Sequence, residues 1–490
     1  MATSRIECKV YDVGQGACNF IEIYDDSATP ELVHTILIDL GSVLVHDAAK
    51  DAVAEITATL ESMNQPTIDA LILTHSDVDH INYIQPLLEN FLPQGSTDPG
   101  EILDINRVYY GGRYKDYKKG RKKNTLTVLK KYLVGDPDED MIGVGPDQEG
   151  WDETNNVWDP FETIGDVDLY MLAGNTTTAA VDIFQNKKVH KPGTGYLRNM
   201  VSIVVILSFA GVDLVFTGDA TGLTMARCNQ TLAKSGALTS TFMVTLPHHG
   251  SEETSFSLLN LSTPAVNAPL LGKRNVQNFV TSVGAKTITA SAERHKTYHH
   301  PSVDLMTYFW EKVDTVTNYY SDPALAPIKR HFYTAYFPKN HFDADPGNTG
   351  VVQDWPPSYN WYTAQTAANV FTTMYFLLDR QNSGKSNHWC AIVPPYAPEV
   401  KTAALTVAVP GQVPASPYVG VTWNFTVTSA GVKSVTPVPS SRTKAATGLP
   451  VGLLGLDAPA ASSGPLAASP VGSRVGHTPG KGLRGLTRLS

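Results

Sequence analysis

The run Thr74-His75-Ser76-Asp77-Val78-Asp79-His80 places two imidazoles and two carboxylates within six residues. Imidazole nitrogen and carboxylate oxygen together suit zinc, manganese or iron. The run follows Ile68 to Leu73, a short and almost wholly apolar stretch that reads as a strand buried on both faces. A strand end that passes through a loop into a helix start can splay alternating residues towards two neighbouring ions. The competing reading is a polar loop that happens to be rich in His and Asp; the spacing, and the strand ahead of it, favour ligands.

Two more places repeat the arrangement. Leu214 to Gly218 ends in Asp219, and Met243 to Leu246 ends in Pro247-His248-His249-Gly250-Ser251. Alone, Asp219 reads as a helix cap, because the chain from Ala220 looks helical. A lone histidine pair is more often structural. Taken together, the three segments put ligand-type residues at the same end of three separate strands, which is how sites are built on rigid sheets.

The order Asp12-Val13-Gly14-Gln15-Gly16, Ile38-Asp39-Leu40-Gly41, His75-x-Asp77-x-Asp79-His80, Thr217-Gly218-Asp219 and His248-His249-Gly250-Ser251 resembles metallo-β-lactamase-fold hydrolases. More narrowly it is similar to the soluble domain of ComEC-type DNA-uptake proteins and their stand-alone relatives. Asn199-x-x-Ser202 and His300-Pro301 fit the same branch, and the resemblance runs from residue 5 to about residue 320. It implies that His75 and Asp77 hold one metal, that Asp79 and His80 hold the other, and that Asp219 bridges them. His248, first after its strand, is taken as the late ligand, with His249 and Ser251 behind it or facing substrate. Asp12 and Asp39 are read as turn residues or residues backing the ligands. The family at large carries His where this chain has Asp77. The ComEC-like branch shares that departure, which makes the first site harder and widens the choice from zinc, the default, to manganese. The mid-chain histidine that many relatives give the first metal has no clear equivalent. Asn199 or Ser202 stands near that place, so the first metal is expected to be weakly held.

Two divalent ions about 3.5–4 Å apart hold a hydroxide between them, lower the pKa of its parent water towards about 7, and stabilise attacking and leaving oxygens in line. Asp79 is the candidate for orienting that hydroxide. His300 is the candidate for binding the substrate oxyanion or protonating the leaving group, against the plainer reading of a surface histidine at a helix start. A basic run, Arg113 to Lys123 with interleaved tyrosines, suggests a phosphate backbone held by Lys118, Lys119, Arg121, Lys122 and Lys123. The bland alternative is a solvated loop balanced by Asp136, Asp138, Glu139 and Asp140. The first functional expectation is therefore a phosphodiesterase or nuclease acting on nucleic acid or a nucleotide. The rivals are a hydrolase of lactones, amides or thioesters, and a non-catalytic metal-binding regulatory module.

The elements that must position these residues follow from patterning. Ile6 to Val13, Ala17 to Tyr24 and His34 to Leu40 read as strands broken by Gly14 and Gly16. Asp47 to Met63 has helical spacing, with Ala52, Ile56 and Leu60 on one face. Asp79 to Phe91 also looks helical. Met200 to Ser208 and Val212 to Thr217 form a hairpin across Ala210-Gly211, followed by a helix from Gly222 to Ala233 and a strand from Phe242 to Leu246. Lys286 to Ala290 and Val313 to Thr317 are strand-like, Pro301 to Glu311 is helix-like, and Val370 to Leu378 reads as the last core strand. The resulting fold class is α+β, a four-layer αββα sandwich. Residues 1–395 form the hydrolase domain, with an insertion over about 92–198 that roofs the site. Residues 396–440 form a short β-rich extension, and residues 441–490 a disordered basic tail.

Bulk properties narrow the class further. Hydrophobic residues at 42% and charged residues at 17% allow a sizeable core. A net charge of -9 means that any polyanion binding rests on a local patch. Met1 to Lys9 carry no long apolar run, and Val201 to Ala210 is about half of what a bilayer helix needs. Neither a secretory signal nor membrane insertion is expected. The four cysteines are scattered without a CxxC pair, which points to a cytoplasmic protein with buried free thiols.

Overall fold

Most long strands of this chain carry apolar side chains on both faces, which forces each sheet to be covered twice. The computed structural model describes residues 3–11, 13–27, 29–43, 47–92, 102–118, 124–145, 150–174, 198–256, 268–292, 300, 305, 308–309, 332–334, 359–363, 374–378, 391–392 and 422–438. Strands β1 (Arg5–Val10), β2 (Cys18–Asp25) and β3 (Glu31–Leu40) lead to helix α1 (Asp47–Glu61), strand β4 (Thr67–Leu73) and the short helices α2 (Val78–Ile81) and α3 (Ile84–Glu89). Next come β5 (Asp104–Tyr110), α4 (Thr125–Leu129), α5 (Pro137–Asp140), β6 (Met141–Gly143), β7 (Trp151–Asp152), β8 (Val157–Trp158), β9 (Glu162–Ile164) and β10 (Val167–Ala173). Strands β11 (Val204–Phe209) and β12 (Val212–Phe216), helix α6 (Gly222–Ser235), β13 (Thr241–Thr245), α7 (Glu252–Phe256), α8 (Ala268–Val283) and β14 (Thr287–Ala290) follow. The remaining strands are β15 (Phe332–Thr334), β16 (Tyr359–Thr363), β17 (Met374–Leu378), β18 (Ala391–Ile392), β19 (Thr422–Thr428) and β20 (Lys433–Val438).

Two eight-stranded sheets result, in the orders β20-β19-β1-β2-β3-β4-β5-β6 and β18-β15-β14-β13-β12-β11-β10-β9. Each is antiparallel on one side and parallel on the other: β3 to β6 run parallel in the first sheet, and β12 to β15 with β18 in the second. Parallel neighbours need a return connection, so their carboxyl ends open on one edge. Those ends carry the candidate ligands.

Three apolar clusters identify the four layers. Ile36 and Ile38 of β3 join Val205, Leu207 and Leu214 between the sheets. Leu37 points the other way, to Val53, Ile56 and Leu60 of α1 and Leu87 of α3. Ile206 of β11 likewise turns outward, to Met225 and Leu232 of α6 and Val276 and Phe279 of α8. The period-two alternation of the strands thus separates an inner core from two outer ones. The αββα sandwich is the fold of the chain. Ala52, Ile56 and Leu60 are all buried on the helix face that their spacing indicates.

Several boundaries differ from the sequence reading. The stretch 92–198, read as insertion, supplies β5 and β6 to the first sheet and β9 and β10 to the second. Its charged residues sit on the exposed side of half-buried strands, which hides their alternation: Arg107 on β5 pairs with Glu162 on β9. Met374–Leu378 is not a strand of either large sheet. It pairs with Tyr359–Thr363 alone in a two-stranded ribbon. The described part of the expected extension, β19 and β20, is built into the first sheet through antiparallel pairing of β19 with β1. Trp423 and Phe425 there fill the inner core. The helix expected from Asp79 to Phe91 is two short helices, α2 and α3. Val313 to Thr317 and the tail from residue 439 lie outside the described residues, as does most of Pro301 to Glu311. Among the described residues no helix is long and apolar enough to cross a membrane.

Candidate metal centre

Close backbone packing sets the shape of the β4–α2 loop. A Cβ on Gly41 would come within 2.4 Å of the Asp79 carbonyl carbon and the His80 nitrogen, so only glycine lets the end of β3 pass beneath the loop. Ala17 N–H donates to the Asp79 carbonyl at 3.0 Å, tying the Gly14–Gly16 turn to the same place. In the second sheet, Gly218 (φ 47°) passes against Thr74, where a Cβ would lie 2.8 Å from that side chain. Asp39, His248 and His249 hold left-handed backbone at φ 58°, 48° and 53°. Such strain in non-glycine residues persists where the surroundings over-determine it.

Asp219 is the centre of the arrangement. Helix α6 is capped by Thr221, which with Thr224 forms a capping box, so the Asp219 carboxylate is not the helix cap. Its Oδ1 lies 3.0 Å from His80 Nε2 and 3.6 Å from His249 Nε2. Its Oδ2 lies 3.3 Å from His75 Nε2 and 3.4 Å from His248 Nε2. Asp79 Oδ2 faces His249 Nε2 at 3.4 Å, and Asp77 Oδ2 faces His75 Nε2 at 3.9 Å. One carboxylate therefore divides two sets of donors: Asp79, His80 and His249 on one side, His75 and Asp77 on the other. Two clusters have ligand atoms within 4.8 Å of one another, His75–His80–Asp219 and Asp79–His80–His249.

Contacts behind the rings decide which nitrogen faces inward. His80 Nδ1 lies 2.7 Å from Asp39 Oδ2, and His249 Nδ1 lies 3.0 Å from the Ser291 carbonyl. Both partners only accept, so the network assigns the proton to Nδ1 and leaves a lone pair on Nε2. Asp39 is itself held by Thr74, whose N–H donates to Oδ1 at 2.8 Å and whose hydroxyl donates to Oδ2 at 2.6 Å. With its proton committed, the Thr74 oxygen accepts from His75 Nδ1 at 3.2 Å, as does Ser202 Oγ at 3.2 Å. Ser202 Oγ also accepts the Asp219 N–H at 3.1 Å. The buried Nε2 atoms of His75, His80 and His249, together with Asp219 Oδ1, make no hydrogen bond. Four buried polar atoms without partners, all converging, are costly unless a cation satisfies them. The donor set of imidazoles and carboxylates fits a divalent ion.

Charge coupling runs in the same direction. Burial pushes the Asp219 and Asp79 carboxyls up, yet the surrounding histidines outweigh it and hold both well below the usual carboxylate range. His249 and His80 lead at Asp79, and His248 and His80 lead at Asp219. Burial alone would lower His80, but the charges of Asp219 and Asp39 raise it well above an ordinary imidazole. Burial dominates at His248 and lowers it.

The two histidines after β13 are placed differently. His249, 5% exposed and tied from behind, joins a metal-capable cluster, whereas His248 does not. Asn199 Nδ2 lies 3.4 Å from His248 Nδ1. An amide N–H in that position suits the tautomer with its proton on Nε2, and that Nε2 lies 3.4 Å from Asp219 Oδ2. The first histidine after the strand is displaced because Pro247 opens a tight 3-10 turn and carries the second one inward. Ser251 Oγ accepts the Thr254 N–H at the start of α7. His300 stands at the rim, half-buried, with its ring centroid 5.6 Å from that of His248. Lys118 is exposed on the surface, while Lys119, Arg121, Lys122, Lys123 and Asp12 lie outside the described residues. Sequence reasoning missed Thr74, Ser291 and Arg198, the last of which forms a close ion pair with Asp77. Ser291 had a usable signal, since it directly follows β14 (Thr287–Ala290). Arg198 had only its place beside Asn199.

No family model matches the chain, and no curated protein matches it. Among solved structures it is similar to the metallo-beta-lactamase fold protein YhfI from Bacillus subtilis, at 12% identity and a TM-score of 0.31, covering 63% of this chain and 93% of that one. It is also similar to unliganded yeast PDE1, at 13% identity and a TM-score of 0.34, covering 63% and 93%. A long form RNase Z from yeast aligns at 9% identity and a TM-score of 0.31, covering 62% of this chain and 39% of that one. These likenesses are too distant to carry an activity across, and the layered fold stands on the chain's own sheets and cores.

Proposed function

We propose that the protein is a metal-dependent hydrolase of the metallo-β-lactamase fold, of the ComEC-like branch, that cleaves phosphodiester bonds in nucleic acid or nucleotides in the cytoplasm. The observation that carries this reading is the convergence of three tautomer-fixed imidazoles on the two carboxylates of Asp79 and Asp219. His75, His80, His249, Asp79 and Asp219 would hold the metal, zinc by default or manganese, with Asp77 as a further ligand. Bound there, the ions supply Lewis acidity and an activated water at neutral pH. The chain does the rest. Asp39, Thr74, Ser202 and the Ser291 carbonyl fix the ligand rings, so no reorganisation is needed when substrate arrives. His248 and His300 line one side of the cluster, where His300 can donate a proton to a departing alkoxide. Arg113 to Lys123, with exposed Lys118, is the proposed contact for a phosphate backbone. Buried free Cys8, Cys18 and Cys228 suit a reducing compartment.

The test is hydrolysis of bis(p-nitrophenyl) phosphate and of single-stranded DNA by protein stripped of metal and reloaded with zinc or manganese. Cleavage that returns with metal is the expected result. Bound metal without cleavage of either, alongside turnover of an ester, lactone or thioester, would move the protein to carboxylic substrates. Bound metal with no turnover of any of these would leave a binding module.

A further inference from the structure

The two sides of Asp219 are not equivalent. On the Asp79–His80–His249 side, each imidazole is anchored through Nδ1, so its supporting contact lies behind the ring and leaves the ligand atom free. On the His75 side, Asp77 is held differently. Arg198 Nε pairs directly with Asp77 Oδ1, on the carboxylate that would bind the ion. Among the described residues Asp77 belongs to no metal-capable cluster, and its other oxygen stands 3.9 Å from His75 Nε2. His248, the other imidazole facing Asp219 Oδ2, has its Nδ1 facing the Asn199 amide. Both members of the ion pair are largely buried, with side-chain exposures of 12% and 17%, so water screens the pair little.

We propose that Arg198 controls occupancy of the metal position at His75 and Asp77 by competing with the ion for the Asp77 carboxylate, so that the two positions fill unequally. This rests on the metal-centre reading above but not on any particular substrate. A guanidinium is a permanent charge that never deprotonates. It neutralises the ligand and holds it in a partly dry site, where the pairing is strong. Among the described residues the Asp79–His80–His249 position has no such competitor, and it fills first. The second ion enters when Arg198 gives up Asp77.

The opposite role, in which Arg198 orients Asp77 as a ligand, predicts the opposite sign. Loss of a group that supports a ligand costs about 10–100-fold in metal affinity. The experiment is zinc and manganese titration of the metal-stripped full chain by calorimetry, with bound metal counted by elemental analysis after dialysis. The wild type is expected to bind one ion tightly and a second at least about tenfold more weakly. Arg198→Met, which keeps length and loses charge, should tighten the weaker step by about tenfold and leave the tight step unchanged. Arg198→Lys should stay close to the wild type. If Arg198→Met weakens the second step, or leaves both unchanged, the proposal is overturned.

Asp77→Asn provides the control against simple misfolding. It removes the contested carboxylate, so adding Arg198→Met to it should change nothing further if the two side chains act through each other. An additive effect of the two substitutions would overturn the proposal. Metal counts need no turnover, so they separate this proposal from the proposed activity. Unequal steps without hydrolysis would remove only the phosphodiesterase reading, and equal steps with hydrolysis would remove only the role of Arg198.

Discussion

The parallel pair β3–β4 carries the same chemical unit twice, once at each end. Near its start, His34 Nδ1 lies 3.2 Å from Asp69 Oδ1, while Asp69 also accepts the Thr35 N–H at 2.9 Å and the Asn106 amide at 3.1 Å. Beyond its far end, His80 Nδ1 lies 2.7 Å from Asp39, which also accepts the Thr74 N–H and hydroxyl. In both places a carboxylate takes one backbone donor, one side-chain donor and one imidazole. Yet the His34 side chain is 36% exposed and that of His80 only 1%. The buried ring also turns its second nitrogen onto another carboxylate, Asp219, without a hydrogen bond. An aspartate–histidine couple is therefore ordinary surface chemistry until burial and a second convergent ligand give the far nitrogen something to hold.

The comparison breaks most sharply at the rings. Replacing His80 with Ala should abolish metal-restored hydrolysis, by roughly a thousandfold or more, while the sandwich stays folded. Replacing His34 with Ala should leave turnover within about twofold. Equal losses would mean that burial does not separate the two couples. Next come the neighbouring histidines. His249→Ala should lose bound metal and activity together, whereas His248→Ala should keep the metal of the Asp79–His80 side and lose about a hundredfold in turnover, the low end for a group that moves a proton at the site. Elemental analysis beside kinetics reads both, and the reverse order would restore His248 as the ligand.

A subtler change acts behind the ring. Asp39→Asn tolerates the left-handed backbone, since Asn is among the residues that adopt it. It has one accepting oxygen where the aspartate uses both. Either the Thr74 N–H or His80 Nδ1 must then face an NH2 group. The expected result is metal affinity about 10–100-fold weaker, measured by chelator competition, with little change from Asp69→Asn at the other couple.

How much of this was legible in the sequence depends on whether the signal is local. His75 to His80, Asp219 and the His248-His249 pair stand at strand ends, and apolar runs mark such ends without any partner. The two-faced burial of β4 and β11 was equally plain. By contrast, β19 reads as an exposed Thr- and Val-rich strand because its partner β1 lies more than 400 residues away. Strands β5 and β10 carry charges on their outer faces and so passed for insertion. The different placement of His248 and His249 comes from a turn with two positive φ values, which no periodicity predicts. Asp39 could be read as a residue backing the ligands, but Arg198 was invisible, because its meaning comes from a contact with Asp77, 121 residues away.

The smallest effect belongs to the exposed couple. The hydrogen bond to Asp69 raises the His34 pKa above that of an ordinary imidazole, against a lesser opposing effect of burial. A raised folded pKa adds stability that is complete below the unfolded value of about 6.5 and is lost as pH rises through the folded value. The metal-loaded wild type should therefore melt slightly lower as pH climbs from about 6 to about 8, by a degree or so given the half-exposed pair. His34→Gln, which cannot take the proton, should remove that slope and leave metal content unchanged. The couple at His80 makes no such contribution in the loaded protein, because a ring that holds metal is not free to take a proton. Stripping the metal should hand the slope to His80, whose pKa Asp219 and Asp39 raise further. The stripped His34→Gln variant should then still lose stability with rising pH. A flat profile there would mean that the buried couple, without its ion, is not a proton site, unlike the exposed one.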